Sequence, residues 1–270
     1  MTGSLPVLVT EPRSSPAGFG GGAIIGALGG LIGLGGAEFR LPLLIGTFRF
    51  AALQAVILNK AMSLVVVASA SPFRAATVPF ASVAAHWPII VNLLAGSLLG
   101  AWLGAGWATR LASQTLYRVI AGLLLGIAVV LVLGHDTAAT GAMLTGAAQL
   151  LAGVAAGFVI GIFAALLGVA GGELLIPTLV LLFGADIKLA GSLSLAVSLP
   201  TMLVGFVRYS RDRSFVVLGE NRRFVLMMAA GSIFGSFIGA RLLGFVPNAV
   251  LLPLLAIILV LSAGKVWTHK

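Results

Sequence analysis

The chain aligns with itself at a shift of 135, half of its 270 residues, so one unit occurs twice in a single polypeptide. Between Gly26–Leu44 and Gly161–Leu179 the matches are Gly26/Gly161, Leu31/Leu166, Gly33/Gly168, Gly36/Gly171, Glu38/Glu173, Pro42/Pro177 and Leu44/Leu179. The register then continues without a gap. Ala55, Leu58, Ala61, Ser63 and Leu64 recur as Ala190, Leu193, Ala196, Ser198 and Leu199, and Ala95-Gly96-Ser97 recurs as Ala230-Gly231-Ser232. Gly100, Gly104 and Ala105 recur as Gly235, Gly239 and Ala240. Chance does not hold one offset across three hydrophobic segments, so the fold is restricted to two similar halves that meet at a common interface.

The solvent of that fold follows from composition. With 60% hydrophobic residues, 9% charged residues and a mean hydropathy of +1.16, a chain of this size cannot hide its apolar surface in a water-soluble globule. Apolar segments near 51–70, 89–109, 115–134, 187–207, 224–245 and 248–266 approach the roughly 20 residues that cross about 30 Å of hydrocarbon. Two further stretches, 18–47 and 142–183, are apolar but too long and too interrupted by glycine to be ordinary spans. The division is an N-terminal segment at 1–17, a first membrane repeat at 18–135 and a second at 136–270. Leu5–Val9 lacks a basic flank and is too short for a signal-peptide core, so the first membrane segment is expected to direct insertion.

The formal charge of +9 lies mostly in connections between apolar segments, which points to membrane orientation and away from nucleic acid. The absence of cysteine excludes disulfides, thiolate metal sites and cysteine catalysis. His86, His135 and His269 lie at segment ends without metal-ligand spacing, Asp136 is an isolated polar neighbour of His135, and no nucleophile stands with a base. Neither an enzyme nor a cofactor is expected. The arginine-rich connection from Arg208 to Arg223 is read as an anchor at an anionic leaflet.

In each long stretch glycines precede a proline: Gly33, Gly35, Gly36 and Pro42, then Gly168, Gly171, Gly172 and Pro177. The spacing predicts helices broken near the bilayer midplane. Backbone freed there must be buried in protein or line a wet cavity, because each unsatisfied group costs several kcal/mol in lipid. Straight crossings would divide the basic residues nine against five between the two membrane faces. Stretches that enter, break and return collect Arg13, Arg49, Arg110, Arg118, Arg208, Arg211, Arg213, Arg222, Arg223, Lys265 and Lys270 on one side, leaving Arg74, Lys188 and Arg241 opposite. The positive-inside rule favours the second arrangement, with both termini cytoplasmic. Each half then holds one re-entrant helix plus three spans, an odd count that makes the repeats inverted. Glycines at four-residue spacing, such as Gly22-Gly26-Gly30 and Gly231-Gly235-Gly239, are read as close helix contacts.

Past each break a short half-helix begins, with free N–H groups and a positive dipole end that favour an anion. Gly35, Gly36, Gly171 and Gly172 allow close approach there. Glu38 and Glu173 fall in the first turns, where they either cap free N–H groups or exchange protons. Arg40 and Lys60 are cations within apolar runs whose counterparts are Leu175 and Leu195. They either pair with the glutamates or attract the substrate. Asn59 with Ser63, and Ser194 with Ser198, supply hydrogen-bonding groups to an anion or to neighbouring helices.

The duplicated G-x-G-G-x-x-x-x-x-P pattern, exact at Gly33, Gly35, Gly36 and Pro42 and carrying Ala170 in place of one glycine in the second copy, resembles the TauE/SafE family of membrane transporters. Ala190–Leu199 is similar to that family's serine-rich helix, and the likeness runs from about residue 18. It implies export of sulfite, or movement of related organosulfonates, across a bacterial cytoplasmic membrane. Glu38 and Glu173 stand where many members carry less polar residues. The expectation is an all-α polytopic membrane protein of two inverted repeats that moves a small anion by alternating access. The alternatives are an anion channel and a proton-coupled importer of organosulfonates. The bilayer and the anion are the expected partners, and assembly with like chains is compatible with the sequence.

Overall fold

Glycines in the left-handed region and short polar turns cut the apolar sequence into helices. The computed structural model describes residues 15–32, 36–75, 78–133, 144–242, 257, 260, 261 and 263–268. The helices are α1 (Ser15–Ile32), α2 (Ala37–Gly46), α3 (Ala52–Ala75), α4 (Phe80–Ala85), α5 (Trp87–Ala108), α6 (Ser113–Leu133), α7 (Gly146–Leu167), α8 (Gly172–Phe183), α9 (Ile187–Tyr209), α10 (Val217–Glu220) and α11 (Arg222–Leu242). No strand occurs among the described residues. Shifting α1, α2, α3 and α5 by 135 lands on α7, α8, α9 and α11, so the duplication read in the sequence is a duplication of elements.

Among the described residues, four helices carry windows long and apolar enough to cross a bilayer: Ala52–Ser69, Trp87–Ala108, Gly146–Leu167 and Lys188–Tyr209. Three of them match expected spans. The fourth, α7, belongs to a stretch read as a broken helix. The expected span at 115–134 forms α6, whose apolar part, Ser113–Val129, is shorter, and the one at 224–245 forms α11. Most of the expected span at 248–266 lies outside the described residues. Of the four long windows, α3 is the most enclosed, with Ala55 through Lys60 fully buried.

Glycine decides which helices meet. A Cβ on Gly22 or Gly26 of α1 would collide with the backbone of Met228 or Ser232 of α11, and one on Gly231 or Gly235 would collide with the backbone of Phe19 or Ala23. The other half repeats this contact at the same shift. Gly157 and Gly161 of α7 lie against the carbonyls of Leu93 and Ser97 in α5, while Gly96 and Gly100 lie against those of Val154 and Phe158. The first helix of each half therefore packs on the last of the four repeated helices of the other, and dispersion between touching backbones supplies the attraction that lipid removes.

Both long stretches return toward the end they came from. Gln149 Nε2, in the first turn of α7, donates to the Leu182 carbonyl in the last turn of α8 at 2.8 Å. Likewise a Cβ on Gly21 of α1 would stand 2.9 Å from Leu43 of α2. The connections gather accordingly. Phe48 and Phe50, beyond α2, reach the Phe224 ring at 4.7 and 5.8 Å, and Arg118 stands over Trp267 at 6.0 Å. Gly46 lies against the Lys265 stem, and Arg110 and Arg208 line one cleft. These contacts join the connections that carry Arg49, Arg222, Arg223, Lys265 and Arg118, and separately those that carry Arg110 and Arg208.

The length of α7 bears on the depth of the second break. At 22 residues and 1.5 Å per residue, α7 is about 33 Å long and can cross the hydrocarbon by itself. Its last turn reaches the far end of α9, where the Tyr209 hydroxyl donates to the Ala165 carbonyl at 3.0 Å. Gly153, Gly157 and Gly161 do not interrupt it because α5, or its Asn92 side chain, fills the space beside each. The helix stops only at Gly168, whose φ of 68° ends it in a left-handed cap.

Candidate functional site

The two half-helices start alike. Gly36 (φ 69°, ψ 22°) precedes α2 and Gly171 (φ 80°, ψ 10°) precedes α8, both left-handed, a conformation that costs glycine nothing. As glycines, neither N-cap residue closes its helix with a side chain, and the first-turn N–H groups have no carbonyl four residues earlier within the helix. Pro42 and Pro177 lie inside these helices. Each removes the N–H that would bond the carbonyl four residues earlier, which is that of Glu38 or Glu173. Gly35 and Gly33 lie outside the described residues; Gly36, Gly171 and Gly172 are buried at the two starts.

Here the two halves meet through their glutamates. The carboxyl groups of Glu38 and Glu173, 1% and 5% exposed, interact directly. Neither oxygen of Glu38 has a hydrogen-bond donor, nor does Oε2 of Glu173. Two buried carboxylates, three of whose four oxygens lack a donor, repel at short range in a low-dielectric interior.

Arg40, two residues beyond Glu38, is fully buried. It donates from Nη1 to Asn59 Oδ1 at 3.3 Å and to Ser63 Oγ at 3.2 Å, and from Nη2 to Ser232 Oγ at 3.2 Å. These acceptors are neutral, and Nε has no acceptor. A guanidinium held in this way keeps capacity for an anion. Asn59 sets its position: its Nδ2 donates to the Ala37 carbonyl at 3.0 Å and the Leu167 carbonyl at 2.9 Å, tying the start of α2 to the end of α7.

Lys60 points elsewhere. Its Nζ donates to the Ala164 carbonyl at 2.7 Å and the Val169 carbonyl at 3.2 Å, so the fully buried ammonium closes the C-terminal end of α7, where carbonyls and helix dipole favour a cation. The pairing with Glu38 or Glu173 weighed from sequence is not what its ammonium makes.

The second half lacks this polar cluster. Leu175 replaces Arg40 and packs with Leu179, Leu193 and Val197. Ser194 Oγ donates to the Gly191 carbonyl of its own helix at 2.9 Å, and Ser198 is buried on α9 at the position equivalent to Ser63. Ser97, the counterpart of Ser232, shares a 2.7 Å hydrogen bond with Thr201. Sequence reasoning missed Ser232 as an Arg40 partner. Its signal was present in the repeated Ala-Gly-Ser block, but only the packing of α1 on α11 brings that serine to α2.

A family model described as Sulfite exporter TauE/SafE matches residues 18–266. No curated protein and no solved structure matches the chain.

Proposed function

The chain belongs to the TauE/SafE sulfite exporter family and is thus a multi-pass membrane transporter, and from that premise we propose that it carries sulfite out of the cell by alternating access. The observation that carries this reading is Arg40, a buried guanidinium with neutral partners beside the meeting point of α2 and α8. In the proposal the anion lies between Arg40 and the free N–H groups after Gly36 and Gly171, with Gly172, Asn59 and Ser63 completing its surroundings. Binding replaces water around the anion with fixed donors. Lys60 ties α3 to the end of α7, Ser194 bonds within α9, and Ser198 stands on the apolar half.

The two halves are proposed to be inverted repeats, with the arginine-rich end and both termini in the cytoplasm of a bacterial cell. The equivalent contacts at a shift of 135 support this, because they let either half rock against the other about a shared seam. An inside-negative potential drives each negative charge outward by about 2.3 kcal/mol per 100 mV, so export of a dianion needs no coupled ion.

The glutamate pair supports a second reading, a proton-coupled importer of organosulfonates. Arg40, Lys60, Glu38 and Glu173 are the charged side chains buried among the described residues, and fully ionised they sum to zero. One proton shared by the glutamates replaces their repulsion with a hydrogen bond and leaves one net positive charge for the anion.

Uptake of radiolabelled sulfite into proteoliposomes, with membrane potential and pH gradient imposed separately, tests both readings. Saturable flux driven by potential alone supports uniport export. Flux that requires the proton gradient, with taurine as an effective competitor, supports the importer. Absence of sulfite flux in folded, inserted protein overturns sulfite as substrate.

A further inference from the structure

A second charged site lies away from the broken helices, at the end where α5 and α9 finish. A cavity of about 410 Å³ opens between α5, α7 and the end of α9, lined by Trp102, Leu103, Trp107, Arg110, Phe158 and Arg208 among others. That volume falls in the range of small-ligand sites. Two guanidinium groups flank one indole: Arg208 stands 5.4 Å and Arg211 5.1 Å from the Trp102 ring. Arg208 also lies against Gly106, where a Cβ would come within 3.2 Å of its Nε and Nη2. Its Nε is buried without an acceptor.

No carboxylate offsets this charge among the described residues. Asp212, the acid nearest in sequence, accepts from the Ser214 N–H at 2.8 Å and caps the 3-10 turn at Arg213–Val216. Cation–π contacts hold Arg208 and Arg211 in place but do not neutralise them, so two like charges are kept close at a partly dry surface. A bound anion relieves that repulsion and satisfies Arg208 Nε.

The surroundings identify the anion's carrier. Leu99, Leu103 and Trp107 are 63%, 56% and 52% exposed on α5, and Leu203 and Val207 of α9 are also exposed, so an apolar surface runs from the charged mouth toward the membrane interior. Trp102 and Trp107 are the amphipathic residues that favour headgroup depth. A soluble anion would use the arginines and leave this surface unused. We propose that the cleft binds an anionic phospholipid, its phosphodiester between Arg110, Arg208 and Arg211 and an acyl chain along Leu99 and Leu103.

Native mass spectrometry of the full-length protein in detergent tests the proposal, with phosphatidylglycerol, phosphatidylcholine and inorganic phosphate as probes. Phosphatidylglycerol is expected to be retained roughly tenfold better than phosphatidylcholine. The Arg208→Gln/Arg211→Gln variant should lose that preference, and Arg222→Gln/Arg223→Gln, at exposed arginines outside the cleft, should keep it. Trp102→Leu removes the indole, keeps every charge and should weaken retention, which preserves the test if the double variant does not fold. Equal retention of both lipids, unchanged preference in the double and Trp102 variants, or displacement of phosphatidylglycerol by inorganic phosphate overturns the proposal. So does a dimer cross-linked through this face.

Discussion

Arg40 carries its charge among neutral oxygens, and this separates function from stability at a single residue. Removing it takes the donor from Asn59, Ser63 and Ser232 and the cation from nearby Glu38, but also ends the burial of a charge, so the effects on folding oppose each other. Arg40→Met is expected to weaken sulfite binding by about a hundredfold, a charge-assisted hydrogen-bond loss of roughly 2–3 kcal/mol, with a smaller change in stability read as the unfolding temperature. Sulfite affinity equal to wild type, measured by scintillation proximity, removes Arg40 from the site. Lys60→Met should do the reverse. It strips the Ala164 and Val169 carbonyls of their donor and costs about 1–3 kcal/mol of stability, with a smaller change in affinity than at Arg40. An affinity loss matching that of Arg40→Met without destabilisation would return Lys60 to the anion. For the glutamates, Glu38→Gln with Glu173→Gln removes both carboxyl groups and their repulsion together. If the pair couples protons, uptake in this variant becomes independent of the pH gradient while potential-driven exchange persists. Intact proton-driven uptake in the variant excludes the pair as carrier.

At the scale of elements, helix ends are set by local chemistry and helix partners by what the glycines touch. Gly161 lies under the Ser97 carbonyl, whereas Gly126 of α6 has nothing near the position of a Cβ. Gly161→Ala should push α7 off α5 and lower stability by about 1–3 kcal/mol. Gly126→Ala should leave stability unchanged or raise it by up to about 1 kcal/mol through helix propensity. Thermal unfolding in detergent distinguishes the two, and equal responses would mean that α5 and α7 do not depend on backbone contact. The glycine pattern alone does not make this distinction, since Gly122 and Gly126 repeat at the same spacing as Gly96 and Gly100.

For the whole molecule the measurable property is sidedness. The chain contains no cysteine, so single cysteines can be introduced without background. Arg49→Cys, Arg110→Cys and Lys265→Cys should react with an impermeant maleimide from the same membrane face, and Lys188→Cys from the other. Labelling of Lys188→Cys from the same face as Arg49→Cys and Arg110→Cys, with Lys265→Cys reacting from the opposite one, would replace the returning stretches with straight crossings and remove the inverted relation of the halves.

The sequence by itself determined the duplication, the membrane as solvent, both breaks and the residues around them, because hydropathy, offset and glycine–proline spacing are local or periodic properties. It also carried the family, since the glycine pattern recurs in order along the chain. It did not determine the depth of the second break. α7 remains one helix through three glycines because α5 covers them, and that cover belongs to the other half of the chain. Nor did it determine which buried cation is held by carbonyls and which by neutral side chains. Arg40 and Lys60 look equivalent as charges in apolar runs, and only the crossing of α3 between the end of α7 and the start of α2 directs Lys60 to carbonyls and Arg40 to hydroxyls and an amide. Contact of Glu38 with Glu173 across 135 residues is likewise a product of tertiary structure, because two acidic side chains meet in a buried site only where the packing of both halves places them there.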